Sequence, residues 1–321
     1  MSDWQPSASI GALRLRAALL DRTRAFFRAR GVLEVETPLA VSHTVSDPQI
    51  ESLRLAGDAP RYLHTSPEYA MKRLVAAGSG DIFQVCKVFR SGERSPLHNP
   101  EFTMVEWYRR DKDLSTIMEE TAALASQLLT DGWVHAGAAV EYIDYRAAFL
   151  RALQIDPFTA EEPVLARMCL ECGLAQKSVD DSGRDQLLDF LVATKVGPGL
   201  GMQGLTCLHH YPASQAALAE LDGQDPSTAL RFELYASGVE LANGYVELAD
   251  GDEQAQRFAA DRRLRATRAL NDVEPDERLL GALRSGLPRC AGVAMGFDRV
   301  VMLAADVGTI DAVLSFAWDN A

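Results

Sequence analysis

The first segment with a clear hydrophobic pattern predicts a long helix followed by a short strand. Apolar side chains recur at helical spacing among arginines from Leu13 to Arg30, and Gly31 can take the left-handed conformation that ends many helices. Apolar and polar residues then alternate from Val32 to Pro38. Proline stops this strand because it cannot donate a hydrogen bond to a sheet.

The next patterns predict a hairpin with a long loop and then a helix. Ile82–Phe89 and Phe102–Tyr108 have strand character, and residues 90–101 between them are polar. We refer to residues 90–101 as the hairpin loop. Helical spacing then runs from Leu114 to Leu129 and ends before Asp131–Gly132.

The second half of the chain predicts a helical insertion followed by further strands. Short helices are expected from about residue 133 to about residue 204. After them we expect strands at Leu205–Tyr211, Leu230–Tyr235 and Gly238–Ala242, a helix at Gln254–Leu270, and a strand that passes into a helix at Gly292–Ala304. Together these elements predict an α+β fold, an antiparallel β-sheet flanked by helices.

Composition restricts the class of protein. The chain has 321 residues and a net charge of −13, so its overall charge does not favour binding to a nucleic-acid backbone, although a local basic cleft remains open. No signal peptide and no apolar run of about 18 residues is evident, which predicts a cytoplasmic protein without a membrane partner. Five scattered cysteines predict free thiols rather than disulfides.

Three short motifs are better explained without a cofactor or metal. Gly199–Gly204 matches a dinucleotide-binding pattern, but a helix precedes it and a strand follows, so we expect a loop. Cys169 and Cys172 have no second pair at zinc-site spacing, so we expect packed thiols. His209 and His210 are neighbours in a strand and should point to opposite faces.

The hairpin loop and its second strand carry an unusual density of chemical groups. Strand alternation places Phe102, Met104, Glu106 and Tyr108 on one face. An unpaired carboxylate beside apolar residues is costly, so this face should meet a polar ligand. The alternative is an ordinary charged hairpin tip.

A second cluster contains two carboxylates, Glu240 and Glu247, on either side of Asn243–Gly244. Their odd spacing would place them on opposite faces of a regular strand, so we expect a bulge at Asn243–Gly244 that restores both to one face. Two adjacent carboxylates repel each other unless a cation lies between them, and Mg²⁺ is the usual partner near phosphates. A surface-exposed pair is the alternative.

The third cluster combines small residues with an arginine. Gly292, Ala294 and Gly296 allow a close approach to the backbone, and Arg299 follows at the start of an apolar helix. A guanidinium there can stack on a base or pair with a phosphate. A simple packing motif would also explain these residues.

Taken in order, these segments resemble the three signature motifs of class II aminoacyl-tRNA synthetases. The resemblance covers nearly the whole chain, and Thr65–Leu74, His98–Phe102 and Glu240–Gly244 look like the lysyl branch. The first motif begins too early for the N-terminal anticodon-binding domain of that branch, so residues 1–321 are expected to be one catalytic domain. With Glu106–Tyr108 and Tyr211–Ala216, this is similar to the lysyl-tRNA synthetase paralogues that modify elongation factor P.

The resemblance implies an enzyme that uses ATP and Mg²⁺ to activate (R)-β-lysine or lysine as an acyl-adenylate. It then transfers the acyl group to a lysine side chain of elongation factor P. Arg90 would bridge the amino-acid carboxylate and the α-phosphate, and Arg299 would hold the γ-phosphate and stack on adenine opposite Phe102. The implied site residues are, for catalysis, Arg90, Arg299 and Glu240; for ATP, Arg90, Glu93, His98, Asn99, Phe102, Glu240, Leu241, Gly296 and Arg299; for the amino acid, Ser66, Glu68, Glu106, Tyr108, Asn243, Glu247 and Ala294; and for Mg²⁺, Glu240 and Glu247.

Two departures from the family pattern bear on these roles. The carboxylate of the hairpin loop, Glu93, stands one place later than in lysyl-type enzymes, and Ala294 replaces a glycine. The methyl group of Ala294 would favour a substrate whose amine lies one carbon further along. A homodimer without a tRNA partner is expected, and the alternatives are a lysine-activating enzyme that charges tRNA and an inactive synthetase-like binding module.

Overall fold

A computed structural model describes residues 4–57, 59–130, 133–268 and 270–321, and its main feature is an eight-stranded sheet with flanking helices. The strands are β1 (Leu33–Glu34), β2 (Ala40–Val41), β3 (Arg54–Leu55), β4 (Arg61–Leu63), β5 (Ile82–Phe89), β6 (Glu101–Arg110), β7 (Glu141–Asp144), β8 (Leu205–Pro212), β9 (Thr228–Ala236), β10 (Val239–Val246) and β11 (Cys290–Gly296). The helices are α1 (Ile10–Arg28), α2 (Glu68–Ala76), α3 (Leu114–Leu128), α4 (Tyr145–Leu153), α5 (Glu162–Glu171), α6 (Gln176–Asp180), α7 (Arg184–Leu191), α8 (Gly251–Thr267), α9 (Glu277–Gly286) and α10 (Phe297–Ala304). Short π and 3₁₀ turns cover Val192–Val196, Gly197–Gly199, Ala213–Gln215, Ile310–Val313 and Trp318–Asn320.

The large sheet has the strand order β1-β5-β6-β11-β10-β9-β8-β7. Its inner pairs are antiparallel, so the predicted α+β fold is confirmed. The two edge pairs, β1–β5 and β7–β8, are parallel instead, because long connections separate the partners in each pair. A small sheet of β2, β4 and β3 was not predicted, since strands of two or three residues show no pattern.

One face of the large sheet packs against α1, α3 and α10. The ring of Phe27 in α1 stacks on that of Phe83 in β5 with a centroid distance of 4.5 Å, and Trp107 in β6 lies beside them. Val105 in β6 faces the same core. The residues of β6 that alternate with these two, among them Glu106 and Tyr108, must therefore face the other side of the sheet, as the pattern predicted.

The segment predicted as a helical insertion contains α4 to α7, which form a core of their own around Tyr145 and Phe149. It also contributes β7, a strand that was not predicted. The first predicted strand is shorter than expected, since only Leu33–Glu34 pairs with β5. The helix before this segment was expected to end before Asp131 and Gly132. These two residues lie outside the described residues.

The short motifs behave as predicted with one exception. Gly199–Gly204 connects a helical turn to β8, and all five cysteines are free thiols. The prediction for His209 and His210 was wrong: a bulge in β8 gives His210 a φ of 57° and brings the two rings to a centroid distance of 4.7 Å. Among the described residues, no helix is long and apolar enough to cross a membrane.

Candidate active site

A cavity of about 1110 Å³ lies on the sheet face opposite α1 and α3. Its walls include residues 45–50, α7 and α8 as well as the strands. The structure brings every site residue predicted from the sequence to this cavity: Ser66, Glu68, Arg90, Glu93, His98, Asn99, Phe102, Glu106, Tyr108, Glu240, Leu241, Asn243, Glu247, Ala294, Gly296 and Arg299.

One end of the cavity is strongly acidic. Glu106 is buried in β6 and accepts hydrogen bonds from Ser66 Oγ at 2.7 Å and Tyr108 Oη at 2.9 Å. Burial, followed by the charges of Glu68 and Glu247, raises the pKa of Glu106 to about 8. No cation is paired with this carboxyl among the described residues, so it is suited to bind one.

Lys72 neutralises part of this acidic end, and the sequence analysis did not identify it. Its ammonium lies 2.7 Å from Glu68 Oε1 and 2.6 Å from Glu247 Oε2, and its side chain is only 1% exposed. Burial alone would lower the pKa of Lys72, but Glu247 and Glu68 outweigh it and raise the pKa. Lys72 is thus shared by two carboxylates, and with Glu106 the acidic end has a net charge of −2 when all three carboxyls are ionised.

Gly292 allows the acidic end to close tightly. It lies in β11 opposite Tyr108 of β6 and Tyr245 of β10. A Cβ atom at Gly292 would overlap Glu247 Oε1 and lie 2.5 Å from Tyr108 Cε1. Only glycine therefore fits between these two side chains without displacing them.

The opposite end of the cavity contains two guanidinium groups. The Cζ atom of Arg90 lies 5.2 Å from the centroid of the Phe102 ring, and Glu93 lies 3.9 Å from Arg90. The Nε atom of Arg90 is buried and has no hydrogen-bond partner within the described part of the chain. A buried, unpaired donor on a cation favours an anionic ligand at this position.

The second guanidinium, that of Arg299, fixes the hairpin loop from the cavity side. It donates to Glu240 O at 2.7 Å, Leu97 O at 3.3 Å and His98 Nε2 at 2.6 Å. Burial, together with Arg299 and Arg90, lowers the pKa of His98 to about 4. A neutral His98 accepts from Arg299 through Nε2, so its Nδ1–H donates to Ser95 Oγ at 2.7 Å.

Glu240 and Glu247 both line the cavity, but the predicted bulge lies elsewhere. The pairing of β10 with β9 shifts between Glu240 and Ala242, whereas Asn243 and Gly244 pair regularly. Gly244 has no positive φ. The prediction of a bulge at Asn243–Gly244 was therefore wrong, and the small size of Gly244 serves close packing against Phe232 instead.

The two carboxylates have different neighbours. Removal from water, followed by the charge of Glu233 on the adjacent strand β9, raises the pKa of Glu240. The carboxylate of Glu247 is instead paired with Lys72. Arg299 lies 3.5 Å from Glu240 Oε2, and Arg231 lies 2.6 Å from Glu233 Oε1, so each of these two carboxylates has a cationic neighbour. Glu233, which the sequence analysis missed, lines the same cavity as Glu240.

Comparison of the whole chain with known proteins identifies the family that it matches. Residues 3–320 match the family model described as class II tRNA synthetases (D, K and N). The chain is 46% identical to the elongation factor P (R)-β-lysine ligase of Photorhabdus laumondii, with 100% of this chain and 99% of the relative covered. It is 44% identical to the enzyme of the same name from Sodalis glossinidius, with both chains covered completely, and 43% identical to that from Pectobacterium atrosepticum over 100% of this chain and 99% of the relative.

Proposed function

Because the chain belongs to the class II tRNA synthetase family (D, K and N), we propose that it is an ATP-dependent ligase that activates a lysine-type amino acid and transfers it to elongation factor P. The observation that supports this most strongly is one cavity with an acidic end, which suits amines, and a guanidinium end, which suits phosphates. Its full-length relatives carry the name of this reaction.

The first step joins two anions, so the residues act mainly by positioning and charge neutralisation. A carboxylate oxygen of the amino acid attacks the α-phosphorus of ATP, the bond to the pyrophosphate leaving group breaks, and an acyl-adenylate forms. Arg90 holds the attacking carboxylate beside the α-phosphate, with its free Nε available to the anion. Arg299, fixed by Glu240 O and His98, holds the terminal phosphate.

We propose that Glu240 and Glu247, the pair implied by the family resemblance, hold Mg²⁺ at the phosphates. Mg²⁺ usually takes one or two carboxylates together with phosphate oxygens, which this pair allows. The metal would neutralise phosphate charge as the bond to pyrophosphate breaks. Glu247 is also paired with Lys72, so it would contact both the metal and the acidic end that receives the amines.

The acidic end selects a substrate with two ammonium groups. Glu106, Glu247 and Tyr108 receive the terminal ammonium, and Ser66 and Glu68 lie where the second amine would bind. The methyl group of Ala294 lines the same part of the cavity and favours (R)-β-lysine over lysine.

The proposal also includes the acceptor of the acyl group and the oligomeric state of the enzyme. In the second step, a neutral lysine amine of elongation factor P attacks the activated carbonyl and AMP leaves. The net charge of −13 favours this protein acceptor over tRNA. The exposed apolar side chains of Ile10, Leu33 and Leu39 support a homodimer, and a translation-factor acceptor favours the cytoplasm.

The test of this function compares two amino acids and two acceptors. Pyrophosphate exchange is measured with (R)-β-lysine and with lysine, followed by transfer to purified elongation factor P or to lysine tRNA. We expect faster exchange with (R)-β-lysine and transfer to the protein. Efficient charging of tRNA would favour the tRNA-charging alternative, and no amino-acid-dependent exchange would favour an inactive binding module.

Replacement of Gly292 by alanine is expected to raise the KM for the lysine substrate more than ten-fold while the KM for ATP changes little. The new methyl group would collide with Glu247 and Tyr108, and forcing extra volume into a packed site costs about 1–3 kcal/mol. Steady-state pyrophosphate exchange measures both constants. Gly281→Ala is the matched control, because a Cβ there meets nothing within 4 Å. Equal KM values for Gly292→Ala and wild type would place the amine elsewhere.

The affinity for the lysine substrate is expected to rise with pH up to about 8. An ammonium binds the ionised form of Glu106, whose pKa is about 8, so kcat/KM should fall about ten-fold per unit below that value. The stability of the ligand-free protein should change in the opposite sense. The pKa of Glu106 in the folded protein lies above the ordinary 4.5, so Glu106 contributes to stability at low pH, and this contribution is lost as the pH rises towards 8. A flat kcat/KM profile from pH 6 to 8 would exclude Glu106 as the amine ligand.

A further inference from the structure

The hairpin loop is also held by a second segment of the chain. Residues 310–320, which we call the support segment, run along this loop, and Ile310 at the start of the segment also lines the cavity. The backbone N–H of Ile310 donates to Pro96 O at 2.8 Å. The backbone N–H of Trp318 donates to Asn99 Oδ1 at 3.0 Å. Both contacts reach the part of the loop that carries the proposed ATP ligands.

Arg94 makes the strongest link between the two elements. Its guanidinium donates to both carboxylate oxygens of Asp311, at 2.9 and 2.7 Å. It also donates twice to Asp319 Oδ2, at 3.0 and 2.8 Å. The three side chains are 32%, 35% and 70% exposed. A single exposed ion pair contributes little, but a bidentate guanidinium shared by two carboxylates restrains the groups it joins.

The support segment can restrain the hairpin loop because it is itself anchored to other parts of the protein. The backbone N–H of Ser7 donates to Ser315 O at 2.8 Å, and the N–H of Ala317 donates to Ser7 Oγ at 2.9 Å. The side chains of Ile310 and Val313 are buried in the main core. A loop fastened to this segment therefore loses conformational freedom before any ligand arrives, which lowers the entropy cost of binding.

We propose that the support segment positions the hairpin loop for ATP, and that Arg94 is the positioning residue that joins the two. The proposal rests on the proposed function, since it concerns the nucleotide end of that site. Arg94 does not itself line the cavity, so it acts through His98 and Asn99. It provides a fixed attachment of the loop in addition to the one through Arg299.

The test uses the full chain with Arg94→Ala and, as a matched control, Arg262→Ala. Arg262 forms a similar bidentate pair with Asp272, at 2.9 and 2.6 Å, but does not contact the hairpin loop. The dissociation constant for ATP with Mg²⁺ is measured by calorimetry, and amide hydrogen exchange is followed over residues 91–99. Arg94→Ala should weaken ATP binding roughly five-fold and speed exchange in the loop, while lysine binding and the melting temperature stay close to wild type.

A double-mutant cycle separates positioning from a general loss of stability. Asp311→Ala combined with Asp319→Ala should reproduce the effect of Arg94→Ala, and adding Arg94→Ala to that pair should weaken ATP binding no further. Wild-type ATP affinity and wild-type loop exchange in Arg94→Ala would overturn the proposal. Neither readout requires turnover, so amino-acid-dependent pyrophosphate exchange by the wild-type chain tests the proposed function separately.

Discussion

Replacement of Arg90 by lysine is expected to slow lysine-dependent pyrophosphate exchange by about 10²- to 10³-fold. The guanidinium of Arg90 lies over the Phe102 ring, and its buried Nε has no hydrogen-bond partner among the residues that the structure describes, so it can hold a carboxylate and a phosphate with separate donors. The ammonium of lysine retains the charge but not this planar set of donors. Loss of one preorganised donor to a transition state costs about that factor in kcat.

The measurement is the exchange rate at saturating ATP and amino acid, so that kcat rather than binding is compared. Arg151→Lys is the matched control, because Arg151 pairs with Glu141 on the surface and does not line the cavity. It should exchange at the wild-type rate. If Arg90→Lys retained more than a third of the wild-type rate, Arg90 would not be the residue that bridges the two anions.

Replacement of Lys72 by methionine is expected to lower the free energy of unfolding by about 3–5 kcal/mol at pH 8. The change leaves Glu68 and Glu247 without their shared cation, and breaking a buried ion pair from one side costs about this much. The loss should be smaller at pH 5. Without Lys72, the pKa of Glu247 in the folded protein rises further above its value in the unfolded chain. At low pH the carboxyl is therefore protonated and neutral, and the loss of stability caused by the substitution grows as the pH increases.

Denaturant unfolding at the two pH values measures this effect. Lys87→Met is the matched control, because Lys87 forms an exposed pair with Glu101 at 3.5 Å and should change stability by less than about 1 kcal/mol. Adding Glu247→Gln to Lys72→Met should recover part of the loss, since one carboxylate is then removed with the lysine. Equal stability of Lys72→Met and wild type at pH 8 would mean that the acidic end needs no internal cation.

Local patterns in the sequence were sufficient to predict the strands that carry most of the site, but not α2, which carries Glu68 and Lys72. Alternation along β6 placed Glu106 and Tyr108 on one face because side chains in a strand alternate strictly. Residue type and the family resemblance then identified residues such as Arg90 and Arg299, which the fold brings together from positions about 200 apart. Their contributions to binding and catalysis remain proposals.

The features that were missed depend on contacts between distant parts of the chain. Lys72 follows Glu68 at helical spacing, a signal visible in the sequence, but nothing local shows that Glu247 completes its ion pairs. Glu233 looks like an ordinary strand residue until β9 and β10 are paired. The bulge at β10 was misplaced because Asn243–Gly244 is a strong local turn signal, and strand pairing on both sides outweighed it.

The cavity draws its walls from residues between Val45 and Ile310, including α7 of the helical segment, where Asp189 accepts a hydrogen bond from Gln49 at 2.8 Å. Such a binding site exists only while those separate parts of the chain remain folded together. Occupancy should therefore stabilise the chain as a whole, by about 2.7 kcal/mol at a ligand concentration one hundred times the Kd. A bound substrate would protect the helical segment from proteolysis as effectively as it protects the sheet.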